Sequence, residues 1–168
     1  MDELNKLINL NLSDFNQYRK HYTNSYRNLL KKFDQVAIDC ENLLQNNQLT
    51  TDDLPGKSRS IGAFFLKYKA YDGKEIRTPS ATLCQQMEDG SFVDKAKHAA
   101  HLYDDLKGFY DRIQRLHQEL ILTKAILKNI SSISLLNEIK KALEEIKTEN
   151  NTLLINEFNA LISKNLQN

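Results

Sequence analysis

Two histidines and two aspartates follow one side of a predicted helix, in a pattern that could hold a divalent metal ion. They stand at positions i, i+4, i+7 and i+11, and they are Asp94, His98, His101 and Asp105. Imidazole and carboxylate groups are suitable ligands for zinc and similar ions. A single helix cannot usually close such a site alone, and no Glu-x-x-His or His-x-x-x-His complement is found on another helix. We therefore interpret these residues as solvated polar positions, and we expect neither a metal nor another cofactor.

Two further fragments come close to a catalytic or phosphate-binding motif without completing it. Residues 55–58 read Pro-Gly-Lys-Ser, but Thr51 stands where a phosphate-binding loop needs a glycine, and no strand is predicted before it. Cys84 could act as a nucleophile only with a base beside it and an oxyanion site, and the sequence positions neither. Cys40 is the only other cysteine, so both thiols are typical of buried apolar positions in a reducing compartment. We therefore expect a protein that is not an enzyme and has no catalytic residues.

Basic residues are concentrated in residues 55–82, where six bases face two acids. Cations for phosphates beside aromatic faces for bases are what nucleic-acid binding requires. A second basic stretch, residues 18–32, is interleaved with tyrosines that also fit a buried helical stripe. The candidate nucleic-acid-binding residues are Lys57, Arg59, Lys67, Lys69, Lys74, Arg77, Arg19 and Lys20. Binding to DNA or RNA is therefore our alternative hypothesis, beside the simpler interpretation that these cations form a solvated face.

The same basic segment has the outline of a helix-turn-helix motif, in which a second helix would enter the major groove. Residues 79–89 would form that helix, yet they are net acidic and offer only Gln85 and Gln86 as base readers. The linker DGKEIRTP is also longer than the usual tight turn. We therefore favour a protein-docking subdomain over a sequence-specific DNA reader.

Apolar side chains in excess of what the predicted helices can bury indicate a partner site. The insert carries aromatic residues at helical spacing, and the C-terminal region adds apolar residues around more than one side of its helix. Exposed apolar patches of this kind usually mark interaction sites. The candidate partner-binding residues are Phe64, Phe65, Tyr68, Tyr71, Phe158 and Ile162. Our first hypothesis is therefore a helical interaction module, an adaptor or a small subunit, that binds a protein partner or forms a homo-oligomer.

Heptad spacing predicts the long helices that must position these residues. Between residues 99 and 130 the steps alternate three and four, and nearly every position is apolar: Ala99, Leu102, Leu106, Phe109, Ile113, Leu116, Leu120, Thr123, Leu127 and Ile130. This pattern is typical of a long helix that buries one narrow stripe. We expect this helix to begin near Phe92, to end in a turn at residues 129–134, and to be followed by a last helix. The seam of that helix is Leu136, Ile139, Leu143, Ile146, Asn150 and Leu153. The polar side chain of Asn150 would select register or partner, or mark a break.

An earlier helix is predicted over residues 14–45, with Ser13 as its N-cap. Residues 48–90 are then an inserted subdomain between the first and second long helices. Within it, the apolar residues of 61–71 fit a helix capped by Ser60, whereas Asp72-Gly73 would instead turn a β-hairpin of residues 65–71 and 74–78. We favour the helix, because the apolar spacing matches a period of 3.6 better than a period of two. A short helix capped by Thr78 is expected to follow and to stop at Gly90.

These elements predict an all-α fold, with residues 1–168 as a single helical domain. A turn as short as 129–134 can only fold two long helices back on each other, which predicts an elongated antiparallel three-helix bundle or coiled coil. The chain has 23 Lys and Arg against 22 Asp and Glu, so net charge gives no general attraction to nucleic acid or membrane. No apolar run approaches 18 residues, and the N-terminal residues lack a basic and then apolar leader. We therefore expect a soluble cytoplasmic protein without membrane contact.

Overall fold

The computed structural model describes residues 11–96 and 98–150, and these residues form an all-α fold. Three short 3₁₀ turns, Thr51–Asp53, Lys57–Arg59 and Ala100–Leu102, lie between the helices. We label the α-helices in chain order as α1 (Leu12–Asn46), α2 (Ile61–Leu66), α3 (Ala81–Glu88), α4 (Ser91–Lys95) and α5 (Tyr103–Asn150). No strand occurs in this described part, so the hairpin alternative for the insert is wrong. The insert does begin with a helix, but α2 ends at Leu66, so its predicted extension to residue 71 is wrong. None of the described helices combines the length and the apolar character that crossing a membrane requires.

Local hydrogen bonds explain where α1 begins. The Asn11 side-chain oxygen accepts from the backbone N–H of Asp14 at 2.9 Å, and the Asp14 carboxylate accepts from the backbone N–H of Asn11 at 2.9 Å. This reciprocal pair satisfies amides that a helix N-terminus otherwise leaves without partners. The predicted cap at Ser13 is therefore wrong, because Ser13 already lies within the helix.

Serine side chains cap the two principal helices of the insert. Ser60 accepts from the backbone N–H of Ala63 at 3.2 Å, as the sequence predicts. Ser80 accepts from the backbone N–H of Leu83 at 3.3 Å and begins α3 two residues later than the predicted cap at Thr78. Gly90, at φ +74°, separates α3 from α4, in the left-handed region that favours glycine.

Helix α5 departs most from the predicted arrangement. Its 48 residues run from Tyr103 to Asn150 without interruption, so the turn predicted at residues 129–134 is wrong. Asparagine and serine suggest a break there, but each costs only a few tenths of a kcal/mol more than alanine in a helix, and strong helix formers flank them. The predicted start near Phe92 is also wrong, because α4 ends at Lys95 and a 3₁₀ turn precedes α5. A third long helix is therefore not found among the described residues.

Contacts divide the chain into two units, which we describe separately. The central unit, residues 21–126, contains the larger core, to which the insert helices and the buried seam of α5 contribute. The predicted seam is confirmed here: Leu106, Ile113 and Leu120 of α5 are fully buried. Their burial secures the helical conformation of this part of α5, since packing of an apolar face supplies most helix stability in proteins.

The terminal unit comprises residues 1–20 and 127–168, of which the structure describes 11–20 and 127–150. Phe15 of α1 and Ile130 of α5 are buried and line one shallow pocket. Ser134 and Asn137 are also buried, on the same side of α5 as Ile130. This side of the helix continues the heptad positions of the central unit with polar instead of apolar side chains.

Candidate protein-docking surface

The aromatic residues that the sequence predicts at a partner site are buried in the core of the central unit. Each of Phe64, Phe65, Tyr68 and Tyr71 is 5% exposed or less. The Phe33 ring of α1 stacks on the Tyr68 ring, with centroids 5.1 Å apart. The expectation that the insert exposes these side chains is wrong, because α1 and α5 both supply apolar residues that cover them. They are therefore core residues in this structure and offer no surface to a partner.

The hydroxyl groups of three tyrosines hold the irregular segment after α2. Each donates to a backbone carbonyl between residues 72 and 77, where no helix or strand satisfies these acceptors. The pairs are Tyr26 with Asp72 at 3.0 Å, Tyr71 with Glu75 at 2.5 Å and Tyr68 with Arg77 at 2.9 Å. The aromatic rings thus fill the core while their polar ends fix the loop, a use of tyrosine that spacing alone does not indicate.

A lysine from α5 and a glycine complete this loop. Lys124 donates through Nζ to the carbonyls of Gly73 and Lys74, at 2.9 and 3.1 Å. Gly73 has φ +71°, and a Cβ atom at this position would lie 2.5 Å from the Tyr26 hydroxyl and 2.8 Å from a Leu30 methyl group. No side chain fits there, so Gly73 is required by both backbone conformation and space.

A buried histidine joins the same network. His117 Nε2 lies 3.0 Å from the Tyr68 hydroxyl, which itself donates to the carbonyl of Arg77. Because that hydroxyl proton is already used, we assign the remaining hydrogen bond to Nε2–H as donor. Burial lowers the pKa of His117 and raises the pKa of Tyr68, so both are neutral at pH 7. Both side chains are buried, so this pair positions core elements.

The four residues with metal-ligand spacing do not form a metal site. They lie on α4, in the segment after it and at the start of α5, so they do not share one helix face: Asp94, His98, His101 and Asp105. All four are exposed, and His101 Nε2 lies 3.0 Å from the side-chain oxygen of Asn47. No group of three or more potential ligands comes together within the part of the chain that the structure describes. Their interpretation as polar surface positions agrees with this placement.

The cysteines and the Gly-Lys pair also have local structural roles. Cys40 is fully buried, and burial raises the pKa of its thiol to about 12, which keeps it protonated and unreactive near pH 7. The Cys84 thiol is half-buried and points its Sγ at the carbonyl of Pro79, 3.9 Å away. Gly56, at φ +92°, precedes the 3₁₀ turn Lys57–Arg59, and the element before it is the 3₁₀ turn Thr51–Asp53 rather than a strand.

The predicted basic segment is partly neutralised by its neighbours. Lys69 pairs with Glu41 at 2.6 Å and Lys74 with Asp72 at 3.2 Å. The Arg77 guanidinium lies over the Tyr71 ring, 5.1 Å from its centroid, and is only half-exposed. The remaining candidates of the central unit are exposed and have no ion pair among the described residues: Lys57, Arg59 and Lys67.

The structure gives less support than the sequence to the other features predicted for nucleic-acid binding. Arg19 and Lys20 are exposed on α1, but they belong to the terminal unit, and the other six candidates belong to the central unit. Residues 67–80 separate α2 from α3, far more than the three or four residues of a helix-turn-helix turn. Gln86, one of the two predicted base readers, is buried. The geometry of this segment is therefore not that of a groove-reading helix pair.

An exposed apolar surface in the described part of the terminal unit follows one side of α5. We call this surface the α5 stripe, and its five residues are between 38% and 64% exposed: Leu135, Leu136, Ile139, Leu143 and Ile146. At about 100° per residue they fall within a sector of roughly 100°. Ile130, Ser134 and Asn137 are buried on the opposite side of the helix. This part of α5 therefore has one buried side and one apolar side that faces solvent.

Sequence reasoning found most of this stripe but gave it a different role. Leu136, Ile139, Leu143 and Ile146 were predicted as the seam of a last helix that packs inside the bundle. They are instead exposed, because α5 continues straight through the predicted turn. Phe158 and Ile162, the other predicted partner contacts near the C-terminus, lie outside the described residues. No protein-family model matches the sequence, and no curated protein or solved structure is significantly similar to it.

Proposed function

We propose that this protein is a non-enzymatic helical interaction module, an adaptor or small subunit of a larger complex, that binds a protein partner through the α5 stripe. The observation that carries the proposal is the exposure of five large aliphatic side chains within one sector of one helix. Single exposed apolar residues are normal on protein surfaces, whereas a contiguous group of this kind usually marks an interaction site.

The energetics of burial favour occupation of the stripe. Complete burial of a Leu or Ile side chain contributes about 1.5–3 kcal/mol, and these side chains still expose roughly half of their surface. Covering all five would therefore contribute about 5 kcal/mol from this chain, with a similar gain from an apolar partner surface. Such a gain exceeds the lower estimates of the cost of association, about 4 kcal/mol, and supports a specific but moderate affinity.

Co-purification with matched variants tests the proposal. The wild-type protein, Ile139→Glu and Ile38→Glu would each be tagged and isolated from the native cell. Ile139 is 54% exposed on the stripe and Ile38 is 36% exposed on α1, so both variants place a carboxylate at an exposed helical isoleucine. We expect a co-purifying protein, a second copy of this chain included, to be lost from Ile139→Glu and retained by Ile38→Glu. Equal recovery with both variants, or no specific partner with the wild type, contradicts the proposal.

The exposed cations of the insert support a second candidate, nucleic-acid binding. Lys57, Arg59 and Lys67 remain free to meet phosphates, and such binding would weaken steeply with salt. The variant Lys57→Glu/Lys67→Glu should then lose DNA or RNA binding at low salt, while Lys128→Glu on α5 should retain it. If the wild-type protein binds neither nucleic acid at low ionic strength, this candidate is eliminated.

A further inference from the structure

We infer that the α5 stripe binds a second copy of this chain, with the two α5 helices parallel and in register over residues 136–150. This inference rests on the proposed docking function and specifies its partner. It is argued from the spacing of the stripe, from Asn150 and from the lysines beside it.

The spacing of the stripe favours a helical partner. Four residues of the stripe and the asparagine that follows them lie at alternating steps of three and four, the a and d positions of two heptads: Leu136, Ile139, Leu143, Ile146 and Asn150. All five are exposed. A repeat of 3.5 residues keeps side chains aligned with a second helix that crosses at about 20°, where knobs fit into holes. The surface therefore has the form of one half of a short coiled coil.

Asn150 favours a second copy in register. It occupies an a position, where an asparagine opposite an aliphatic residue would bury an unsatisfied amide. In a parallel pair, the a position of one copy faces the same residue of the other copy, so each Asn150 meets an amide partner. In the single chain its Nδ2 donates to the carbonyl of Ile146 at 2.9 Å, within its own helix. A different protein would need a polar residue at this level, whereas a second copy supplies one by symmetry.

Charges beside the stripe favour the parallel orientation. In the heptad register of the stripe, the e positions are Lys140 and Lys147, whereas the g positions are Leu135, Ala142 and Glu149. In an antiparallel pair the e positions of the two copies face each other, so lysine would meet lysine. In a parallel pair each e position faces a g position, and Leu135 and Ala142, which lie opposite the two lysines, carry no charge. Lys147 already pairs with Glu144 at 3.1 Å. Lys140 is exposed and makes no ion pair with the described residues, so it is the cation that most disfavours the antiparallel pair.

Self-association of the purified full-length chain is the first test. Two heptads make a weak coiled coil, so sedimentation equilibrium should cover about 1 μM to about 1 mM, where modest association free energies become visible. We expect the wild-type mass to rise from monomer to dimer with concentration. Ile139→Glu should weaken this association about 100-fold, because it buries an unpaired carboxylate in each copy. Ile38→Glu should dimerise as the wild type does, and circular dichroism should give equal helicity for all three proteins.

Disulfide cross-linking tests the orientation. In a Cys84→Ser background, which leaves only the buried Cys40, Leu136→Cys should form a disulfide-linked dimer on a non-reducing gel. Thr148→Cys, exposed on the same helix but outside the stripe, is the matched control and should remain monomeric. In an antiparallel pair a positions face d positions, so Leu136→Cys would not link to itself and would instead link to Ile146→Cys in a mixture of the two proteins. That result overturns the inference.

The outcomes separate the inference from the function on which it rests. A wild-type chain that stays monomeric at every concentration overturns the inference. If Ile139→Glu then still loses a co-purifying protein that Ile38→Glu retains, the docking function stands with a different partner. If Ile139→Glu loses nothing in either experiment, both the inference and the docking function are wrong.

Discussion

The two stretches of α5 carry the same kind of heptad pattern and use it differently. In residues 103–126 the seam is core: Leu106, Ile113 and Leu120 are completely buried. In residues 127–150 the large aliphatic residues face solvent on one side, while the side that continues the first seam buries Ser134 and Asn137. Heptad spacing of apolar residues therefore shows that a helix has an apolar face, but it does not show what covers that face. The buried stretch contributes to folding, and our proposal gives the exposed stretch a role in binding.

Two leucines on α5 give the largest expected difference between these stretches, measured as the change in the free energy of unfolding. Leu120 is 0% exposed and Leu136 is 64% exposed. Leu120→Ala should lower the free energy of unfolding by about 2–5 kcal/mol, because it leaves a cavity in the core of the central unit. Leu136→Ala should change it by about 0.5 kcal/mol or less, as an exposed substitution does. Urea unfolding at low micromolar concentration, where association is negligible, measures both, and equal losses would remove the distinction.

Substitution of two glycines by alanine is expected to change stability in opposite directions, with a difference of intermediate size. Gly73→Ala places a Cβ against Tyr26 and Leu30 at positive φ, so we expect a loss of about 1–3 kcal/mol. Gly108 lies on α5 with no atom within 4 Å of the Cβ that alanine would add. Gly108→Ala should therefore stabilise the protein by about 0.5–1 kcal/mol, through helix propensity. Thermal unfolding of both variants measures whether stability falls for Gly73→Ala and rises for Gly108→Ala. An unchanged stability of Gly73→Ala would contradict the close contacts of Gly73 with Tyr26 and Leu30.

The smallest expected effect is a pH dependence confined to the central unit. Because burial holds the folded-state pKa of His117 below its ordinary value of 6.5, the unfolded chain binds a proton first as the pH falls. The contribution of neutral His117 is complete above pH 6.5 and is lost as the pH falls from there through the folded-state pKa. His117→Gln, which can still donate to Tyr68, should reduce the slope of stability against pH in this window. An unchanged slope would assign the pH dependence to other groups.

The sequence predicted correctly those features that depend on interactions between residues close together in the chain. It predicted an all-α chain, the α5 seam, the Ser60 cap and a helical start to the insert, since spacing and capping chemistry depend on neighbouring residues. It failed for Tyr68 and Tyr71, because burial of the insert depends on α1 and α5, which are distant along the chain. Lys124, whose contacts to the loop are some 50 residues away, gave no signal in the sequence that could have identified it.

The sequence by itself determined that this chain forms long amphipathic helices. It also showed more apolar side chains than the predicted helices can bury, and no recognisable catalytic motif. The tertiary structure alone decided which stripes are covered. The reason is that helical periodicity is set by the 3.6-residue turn of the backbone, whereas burial depends on which surfaces meet in space. For this protein that decision placed the insert aromatics inside the core and left Leu136, Ile139 and Ile146 on the surface.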